Sequence, residues 1–457
     1  MVFSDLFFLF AFLPAFALCY LLARRANWVL VLFSLLFYAW GEPVYVVLML
    51  GSVALNYVAG RIIERGEGHR RKAALVAGVT VNVLILAVFK YLGFLIGELI
   101  GLGMNLPAVQ IALPIGISFY TFQSISYLVD VYRRESPAQR RLMDLLLYIS
   151  MFPQLIAGPI VRYGTVAREI NERHVTVHDL SQGIMRFVQG LGKKVILANQ
   201  LSEVSSQLLG HVGESPLSTS AAWIGIVAFT LQIYFDFSGY SDMAIGIGRC
   251  LGFHFPENFN HPYCCRSITD FWRRWHMSLG SFFRDYVYIP MGGNRRHQPL
   301  NILVVWMLTG FWHGASWNFL LWGLYFGLII MAEKYTLLRV IDRVPRAVLH
   351  LYSLLLVVLG WGIFYFDDFG QMQQFFLSLL CQGAALRDFA SVNVMGQRGW
   401  LWIAALVFCL PVRSCLPRLR SEWLRQFLRV TWASALLILS VALLVGATNN
   451  AFLYTRF

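Results

Sequence analysis

Two histidines, two carboxylates and a pair of arginines stand out in this chain, because their surroundings make them expensive. His313 lies in Thr309-Gly-Phe-Trp-His313-Gly-Ala-Ser316-Trp-Asn318, within an apolar stretch, Leu303 to Leu324, without Lys, Arg, Asp or Glu. That stretch is long and apolar enough to cross a bilayer. An ionisable group at membrane depth is costly, so it faces a cavity or a partner and marks a functional site. Histidine is also the usual general base near neutral pH. The structural alternative is a core imidazole bonded between packed helices. Gly310 and Gly314 flank it and allow close backbone approach, either for substrate or for tight helix packing.

A second constellation is Gln232-Ile-Tyr-Phe-Asp236-Phe-Ser238-Gly-Tyr240-Ser-Asp242, inside another apolar run. Two carboxylates at membrane depth need partners. They could pair with the arginines that follow, hold a polar substrate or coordinate a cation. The third is Asp270-Phe-Trp-Arg273-Arg274-Trp-His276-Met-Ser-Leu-Gly-Ser-Phe-Phe-Arg284-Asp285-Tyr286. The i,i+4 spacing predicts that Asp270 and Arg274 share a helix face, and that Trp272 and His276 do too. Arginines beside tryptophans suit a planar or phosphorylated group. A basic amphipathic helix on anionic headgroups accounts for the same composition.

The elements that must position these groups follow from composition. The 457 residues are 58% hydrophobic and only 13% charged, against about 25% charged in a soluble domain. With a mean hydropathy of +0.61, this is an integral membrane protein. The apolar runs are continuous and long, so helices rather than a β-barrel are expected. Aromatic residues make up 15% of the chain, which suits interfacial belts and a packed bundle. The net charge of +13 reads through the positive-inside rule, not as a nucleic-acid surface. The seven cysteines, Cys19, Cys250, Cys264, Cys265, Cys381, Cys409 and Cys415, show no metal spacing, and neither a metal site nor a disulfide framework is expected.

About eleven hydrophobic segments of about twenty residues are expected, some of them re-entrant. Leu6–Ala23 is the first, and it reads as a retained helix rather than a cleaved leader. Asn27–Trp40 and Val44–Gly60 follow, then a basic loop from Arg61 to Lys72. If Arg24-Arg25 and that loop are both cytoplasmic, the N-terminus lies outside. Ala73 to about Ile100 is a long helix, with Lys90 near its outer end. Pro114–Asp130 reads as buried or re-entrant. Leu142–Pro159 is interrupted at Pro153 and Gly158-Pro159. Val161 to about Val204 is amphipathic and carries Lys193-Lys194, and Ser205–Ser220 reads as a polar loop. Ala222–Leu251 is a long span. Phe253–Pro299, polar yet aromatic, reads as short helices at the membrane surface. Asn301–Ala332 reads as a broken pair, and Ala347–Tyr365, Gly399–Val412 and Val430–Val445 complete the set.

These blocks, in this order, resemble the membrane-bound O-acyltransferase (MBOAT) family, and most closely its bacterial polysaccharide branch, which serves alginate O-acetylation. The matching segments are Leu113-Pro-Ile-Gly-Ile-Ser-Phe-Tyr120, Phe152-Pro-Gln-Leu-Ile-Ala-Gly-Pro159, Tyr234-Phe-Asp-Phe-Ser-Gly-Tyr-Ser-Asp-Met-Ala-Ile-Gly246, Ser267-Ile-Thr-Asp-Phe-Trp-Arg-Arg-Trp-His-Met-Ser-Leu279 and Phe311-Trp-His-Gly314. The likeness runs from the start to about residue 335 and is weaker beyond. It implies an all-α polytopic membrane protein, a disc of tilted and re-entrant helices with a central funnel or tunnel. Residues 1–457 would form one membrane domain: spans in 1–160, a motif-bearing catalytic core in 161–335 and further spans in 336–457.

The resemblance also implies chemistry. His313 would be the family's essential histidine and His276 the second, more variable polar position. The activity would be transfer of an acetyl group from a cytoplasmic thioester, acetyl-CoA or another, across the membrane for O-acetylation of an extracellular polysaccharide. Asp236, Ser238, Tyr240, Asp242, Arg273, Arg274, Trp312 and Asn318 would contact substrate, with Lys193-Lys194 as further phosphate contacts. No bound cofactor is expected. A periplasmic acetyltransferase partner of the SGNH type, polysaccharide export or synthase machinery and membrane lipids are the expected partners, and a bacterial inner membrane with a periplasmic N-terminus the expected location. Alternatives are a same-family enzyme acting on lipid, peptidoglycan or protein, a proton-coupled transporter using Asp236, Asp242 and His313, and a non-catalytic scaffold.

Overall fold

The computed structural model describes residues 1–24, 26–156, 158–412 and 421–447. Arg25, Ala157 and Cys415 lie outside the described residues. Among the described residues the secondary structure is helical, apart from one bridge between Val212 and Ser215. The longer helices are α1 (Leu13–Leu22), α2 (Asn27–Gly41), α3 (Tyr45–Arg65), α4 (Gly68–Gly101), α5 (Ile117–Arg133), α6 (Leu142–Ser150), α7 (Val177–Gly192), α8 (Asn199–Leu209), α9 (Thr219–Cys250), α10 (Ile268–Arg274), α11 (Met277–Phe283), α12 (Gln298–His313), α13 (Trp317–Tyr335), α14 (Arg346–Tyr365), α15 (Phe369–Leu379), α16 (Phe389–Gln397), α17 (Gly399–Cys409) and α18 (Glu422–Val445). Five of them, α3, α4, α9, α14 and α18, are long and apolar enough to cross a membrane. The segments Phe8–Leu22, Asn27–Gly41 and Gly399–Cys409 are apolar but shorter.

The chain divides into two compact units, Met1–Phe187 with Tyr240–Pro256, and Val188–Gly239 with Glu257–Phe457. In the first unit, Phe3, Phe8, Phe12, Phe37 and Phe152 form an aromatic cluster with ring centroids 4.9 to 6.4 Å apart. Asn56 of α3 and Asn82 of α4 exchange amide hydrogen bonds at 3.1 and 2.8 Å, which satisfies two amides buried between apolar helices. Helix α5 is buried along most of its length, as its dotting with small and polar residues predicts. The basic stretch Arg61–Lys72 is not a loop. Helix α3 runs through Arg65 and α4 opens at Gly68, which leaves only Gly66 and Glu67 as the turn.

The second unit carries the remaining motifs. Helix α7 passes into a π-helix, Lys193–Ala198, and then α8. Because α8 continues to Leu209, the expected polar loop starts at Gly210, five residues later than Ser205. The apolar stretch 303–324 is not one span. Helix α12 stops at His313, Gly314 and Ser316 are extended, and α13 begins at Trp317. The reason is packing. A Cβ on Gly310 would sit 2.2 Å from the Phe319 carbonyl oxygen, so the two helices fold back on each other with their backbones nearly touching. The Phe253–Pro299 region is a chain of short helices, including α10, α11 and a π-helix at Arg284–Tyr288, as its composition predicts.

Candidate functional site

His313 is the last residue of α12, at the break itself, and is buried. Its ring meets Trp312 at 4.8 Å, Trp322 at 5.0 Å, Phe364 at 5.2 Å and Phe319 at 6.4 Å. The Trp322 and Phe364 rings stand nearly perpendicular to the imidazole. An imidazole walled by four aromatic rings is shielded from bulk water.

Trp312 links this histidine to the other one. The Trp312 ring lies 5.9 Å from that of His276. His276 is buried and holds a left-handed backbone at φ 44°, between the end of α10 and the start of α11. Such a φ is uncommon for a non-glycine residue, and strain of this kind clusters at functional sites. It also means that Trp272 and His276 do not share a helix face, since α10 ends at Arg274 before the spacing completes.

The His276 ring has a defined role for each nitrogen. Nδ1 donates to Asn258 Oδ1 at 3.0 Å, and the same oxygen accepts from the Ser278 hydroxyl at 2.9 Å and the Ser278 amide at 3.2 Å. Nε2 is therefore the lone-pair nitrogen, and it is buried with no hydrogen-bond partner among the described residues. Burial pushes the imidazole pKa down to about 3, so the ring stays neutral. Phe237 of α9 covers it edge-on at 4.6 Å. The corner carrying His276 is tied down by backbone bonds, Asn260 N–H to the Arg274 carbonyl and Met277 N–H to the Asn258 carbonyl, both at 3.0 Å.

Helix α10 is anchored at its other end. Ser267 caps it through the Asp270 amide at 3.0 Å. Glu333 of α13, fully buried, accepts the amides of Ile268 and Thr269 at 2.6 and 2.7 Å and the Thr269 hydroxyl at 2.6 Å. A carboxylate on the first amides of a helix is a strong, charge-assisted anchor. Arg274 and Asp270 do share a face, with Nε 2.8 Å from Oδ1. Arg273 is exposed.

The carboxylates of α9 pair with cations, but not with the arginines that follow. Asp236 meets Lys194 at 2.7 Å, with both side chains 2% exposed. Asp242 meets Arg186 through Nη2 at 2.7 Å and Nε at 3.0 Å. Both partners come from the preceding helical segment, whose basic residues run at helical spacing beside an apolar face. Lys194 is thus committed to a buried ion pair rather than held out for phosphate. Tyr240 stacks on Phe3 at 4.4 Å within the first unit. The Ser238 hydroxyl is buried with no hydrogen-bond partner among the described residues. Asn318, fully buried at the start of α13, donates to Asp367 Oδ1 at 3.2 Å and to the Phe364 carbonyl at 3.4 Å.

Of the residues expected at the site, His313, Trp312, His276 and Asn318 therefore gather around one aromatic wall in the second unit. Tyr240 and Asp242 belong to the first unit and are engaged there. Asn258, Trp322, Phe364 and Glu333 are additions from the structure. Glu333 had a readable signal, a lone acid in an apolar helix.

A family model described as "MBOAT, membrane-bound O-acyltransferase family" matches residues 129–369. The chain is 41% identical over 423 residues to a Pseudomonas aeruginosa protein named "Probable alginate O-acetylase AlgI", covering 89% of this chain and 80% of that one. It is 35% identical to a Helicobacter pylori protein named "Peptidoglycan O-acetyltransferase", covering 73% and 70% of the two chains. A Bacillus subtilis "Teichoic acid D-alanyltransferase" is 27% identical over 48% of this chain and 59% of its own. The matched segment 129–369 contains both histidines and the whole aromatic wall, and the chain belongs to the membrane-bound O-acyltransferase family.

Proposed function

We propose that this membrane acyltransferase moves an acetyl group from a cytoplasmic thioester, acetyl-CoA or a related carrier, across the bilayer for O-acetylation of an extracellular polysaccharide of the alginate or cellulose type. The observation that carries this reading is the seat of His313. A general base must sit where water is excluded and a substrate can reach it. The burial of His313 at the break after α12, among four aromatic rings, supports this reading on the side of water exclusion.

In this mechanism the acceptor hydroxyl oxygen attacks the thioester carbonyl carbon. The new C–O bond forms and the C–S bond breaks. His313 takes the hydroxyl proton and passes it to the departing thiolate. General-base catalysis of this kind contributes about 10²–10⁴-fold. His276, neutral and with Nε2 open, accepts a hydrogen bond from substrate. Arg273, exposed at the end of α10, meets the donor's phosphates, while its neighbour Arg274, held by Asp270, adds positive charge beside them. Trp312 and Asn318 line the path, and Ser238 offers a buried hydroxyl. Asp236, Tyr240 and Asp242 hold helices in place and act on substrate only through that. The catalytic core is residues 161–335, around a central funnel or tunnel in the bacterial inner membrane, with the N-terminus on the periplasmic side. A periplasmic SGNH-type acetyltransferase receives the acetyl group and places it on the polymer, and the polymer's export or synthase machinery is the other partner. The peptidoglycan-acetylating relative, at 35% identity, makes peptidoglycan the second candidate acceptor.

The test is the O-acetyl content of the host's extracellular polysaccharide. A deletion strain is complemented with wild type or with His313→Ala, and membrane levels of both proteins are matched. Acetate lost in the deletion, restored by wild type and not by the variant, supports the whole reading. Acetate unchanged in the deletion overturns the polymer, and restoration by His313→Ala overturns the base.

A further inference from the structure

The turn after the Arg284–Tyr288 π-helix brings cations together without acids to balance them. Gly292 and Gly293 adopt φ of 113° and 54°, and His297 adopts 47°. The buried Asn301 side chain fixes this turn by donating to the Gly293 carbonyl at 3.0 Å and the Arg296 carbonyl at 2.7 Å. Asn294 Oδ1 gathers three donors, the Tyr288 hydroxyl at 2.8 Å, Gln298 Nε2 at 2.5 Å and Lys334 Nζ at 3.1 Å. Arg295 and Arg296 follow at once and are exposed. Lys334 also lies close enough to Arg273 to feel its positive charge.

The acids on the elements that carry these cations, α10, the π-helix with its turn, and α13, are committed elsewhere. Asp270 holds Arg274, Asp285 holds Arg284, and Glu333 holds the start of α10. Arg273, Lys334, Arg295 and Arg296 make no ion pair among the described residues. Arg295 and Arg296 are exposed on this fixed turn, Lys334 of α13 is bonded to its Asn294, and Arg273 of α10 bears on Lys334, so positive charges accumulate here and repel one another. A multiply charged anion relieves that repulsion.

We propose that Arg273, Lys334, Arg295 and Arg296 form one phosphate-binding subsite. Arginine forks and the lysine point charge suit phosphate oxygens, and the fixed turn orders them before the ligand arrives. The phosphates come either from a nucleotide-type thioester carrier, which rests on the donor reading above, or from an anionic lipid headgroup. Each charged contact is worth about 1.5–3 kcal/mol, roughly tenfold or more in affinity.

The experiment uses full-length protein in phosphatidylcholine nanodiscs, with calorimetric titration of coenzyme A and of pantetheine, which lacks the nucleotide phosphates. Wild type is expected to bind coenzyme A about tenfold tighter than pantetheine or better. Lys334→Gln and the double variant Arg295→Gln/Arg296→Gln lose that preference, while Lys334→Arg keeps most of it. A second arm adds phosphatidylglycerol to the nanodiscs. If wild type does not prefer coenzyme A, yet phosphatidylglycerol raises its thermal midpoint and Lys334→Gln abolishes the rise, the subsite stands, its phosphate is lipid, and the donor reading is what fails. If folded variants match wild type with every probe, the subsite is overturned.

Discussion

His276 Nδ1 donates a hydrogen bond to Asn258 Oδ1 across 3.0 Å, and Nε2 is left buried without a partner among the described residues. That bond selects the tautomer, and burial then keeps the ring neutral, with a pKa pushed down to about 3. The consequence for stability has a definite sign. An unfolded chain protonates this histidine near its ordinary value of about 6.5, whereas the folded one does not until about pH 3. Between those values the unfolded state binds more protons, so stability rises with pH across that window. It is full above about 6.5 and is lost as the pH falls. His276→Gln removes the titrating group and keeps a hydrogen-bonding side chain. Its unfolding midpoint in detergent should therefore drop less than that of wild type between neutral and mildly acidic buffer. Equal drops for the two proteins would mean that His276 is protonated when folded.

The α12–α13 hairpin sets the position of His313 through glycine contacts, and this predicts an asymmetry among glycine substitutions. A Cβ on Gly310 would lie 2.2 Å from the Phe319 oxygen and 3.2 Å from Gly323 Cα, backbone atoms that cannot swing aside. Gly310→Ala should cost at least about 1–3 kcal/mol and should abolish acyl transfer by separating the two helices. Gly97, also in a helix, has nothing within 4 Å of its would-be Cβ. Gly97→Ala should be neutral or stabilising by up to about 1 kcal/mol. Thermal unfolding of the two purified variants, alongside acetyl transfer, decides this. A Gly310→Ala protein that melts and works like wild type would refute the packing argument.

The buried polar residues of the apolar helices are more legible in the chain than their partners are. His313 stood out because an ionisable residue in a charge-free apolar run has few bland explanations, and the same contrast exposed Asp236 and Asp242. Their cations were not readable, since an acid on one helix carries no label for the helix that answers it. Lys194 and Arg186 precede α9, while the conspicuous arginines follow it. The Trp272–His276 spacing misled for a local reason. A left-handed residue at His276 ends the helical register, and a histidine there carries none of glycine's warning. Asn258 lay in a stretch of Asn, Glu, His and Pro where one more amide has no contrast. The break after His313 was suggested by the length of the 301–332 run and by its glycines, but its site followed only from the contact between Gly310 and α13.

The Lys194–Asp236 pair should behave as one unit. The two side chains are 2% exposed and 2.7 Å apart, and the next residue, Phe237, carries the ring that covers His276 at 4.6 Å. Removing one charge from such a pair strands the other in a low-dielectric interior, at a cost of about 3–5 kcal/mol. Removing both and filling the space with apolar atoms costs far less, because neither ion then needs desolvating. Lys194→Met should therefore be strongly destabilised, and Lys194→Met/Asp236→Leu should recover much of that loss. The thermodynamic cycle over wild type, both single variants and the double variant should show a coupling of at least about 1 kcal/mol. Acyl-transfer activity should follow the same order, since a displaced Phe237 uncovers His276. Additive losses, with the double variant worse than either single, would show that the two charges do not hold α9 together. An intact cycle with unchanged activity in the double variant would separate the pair from the site.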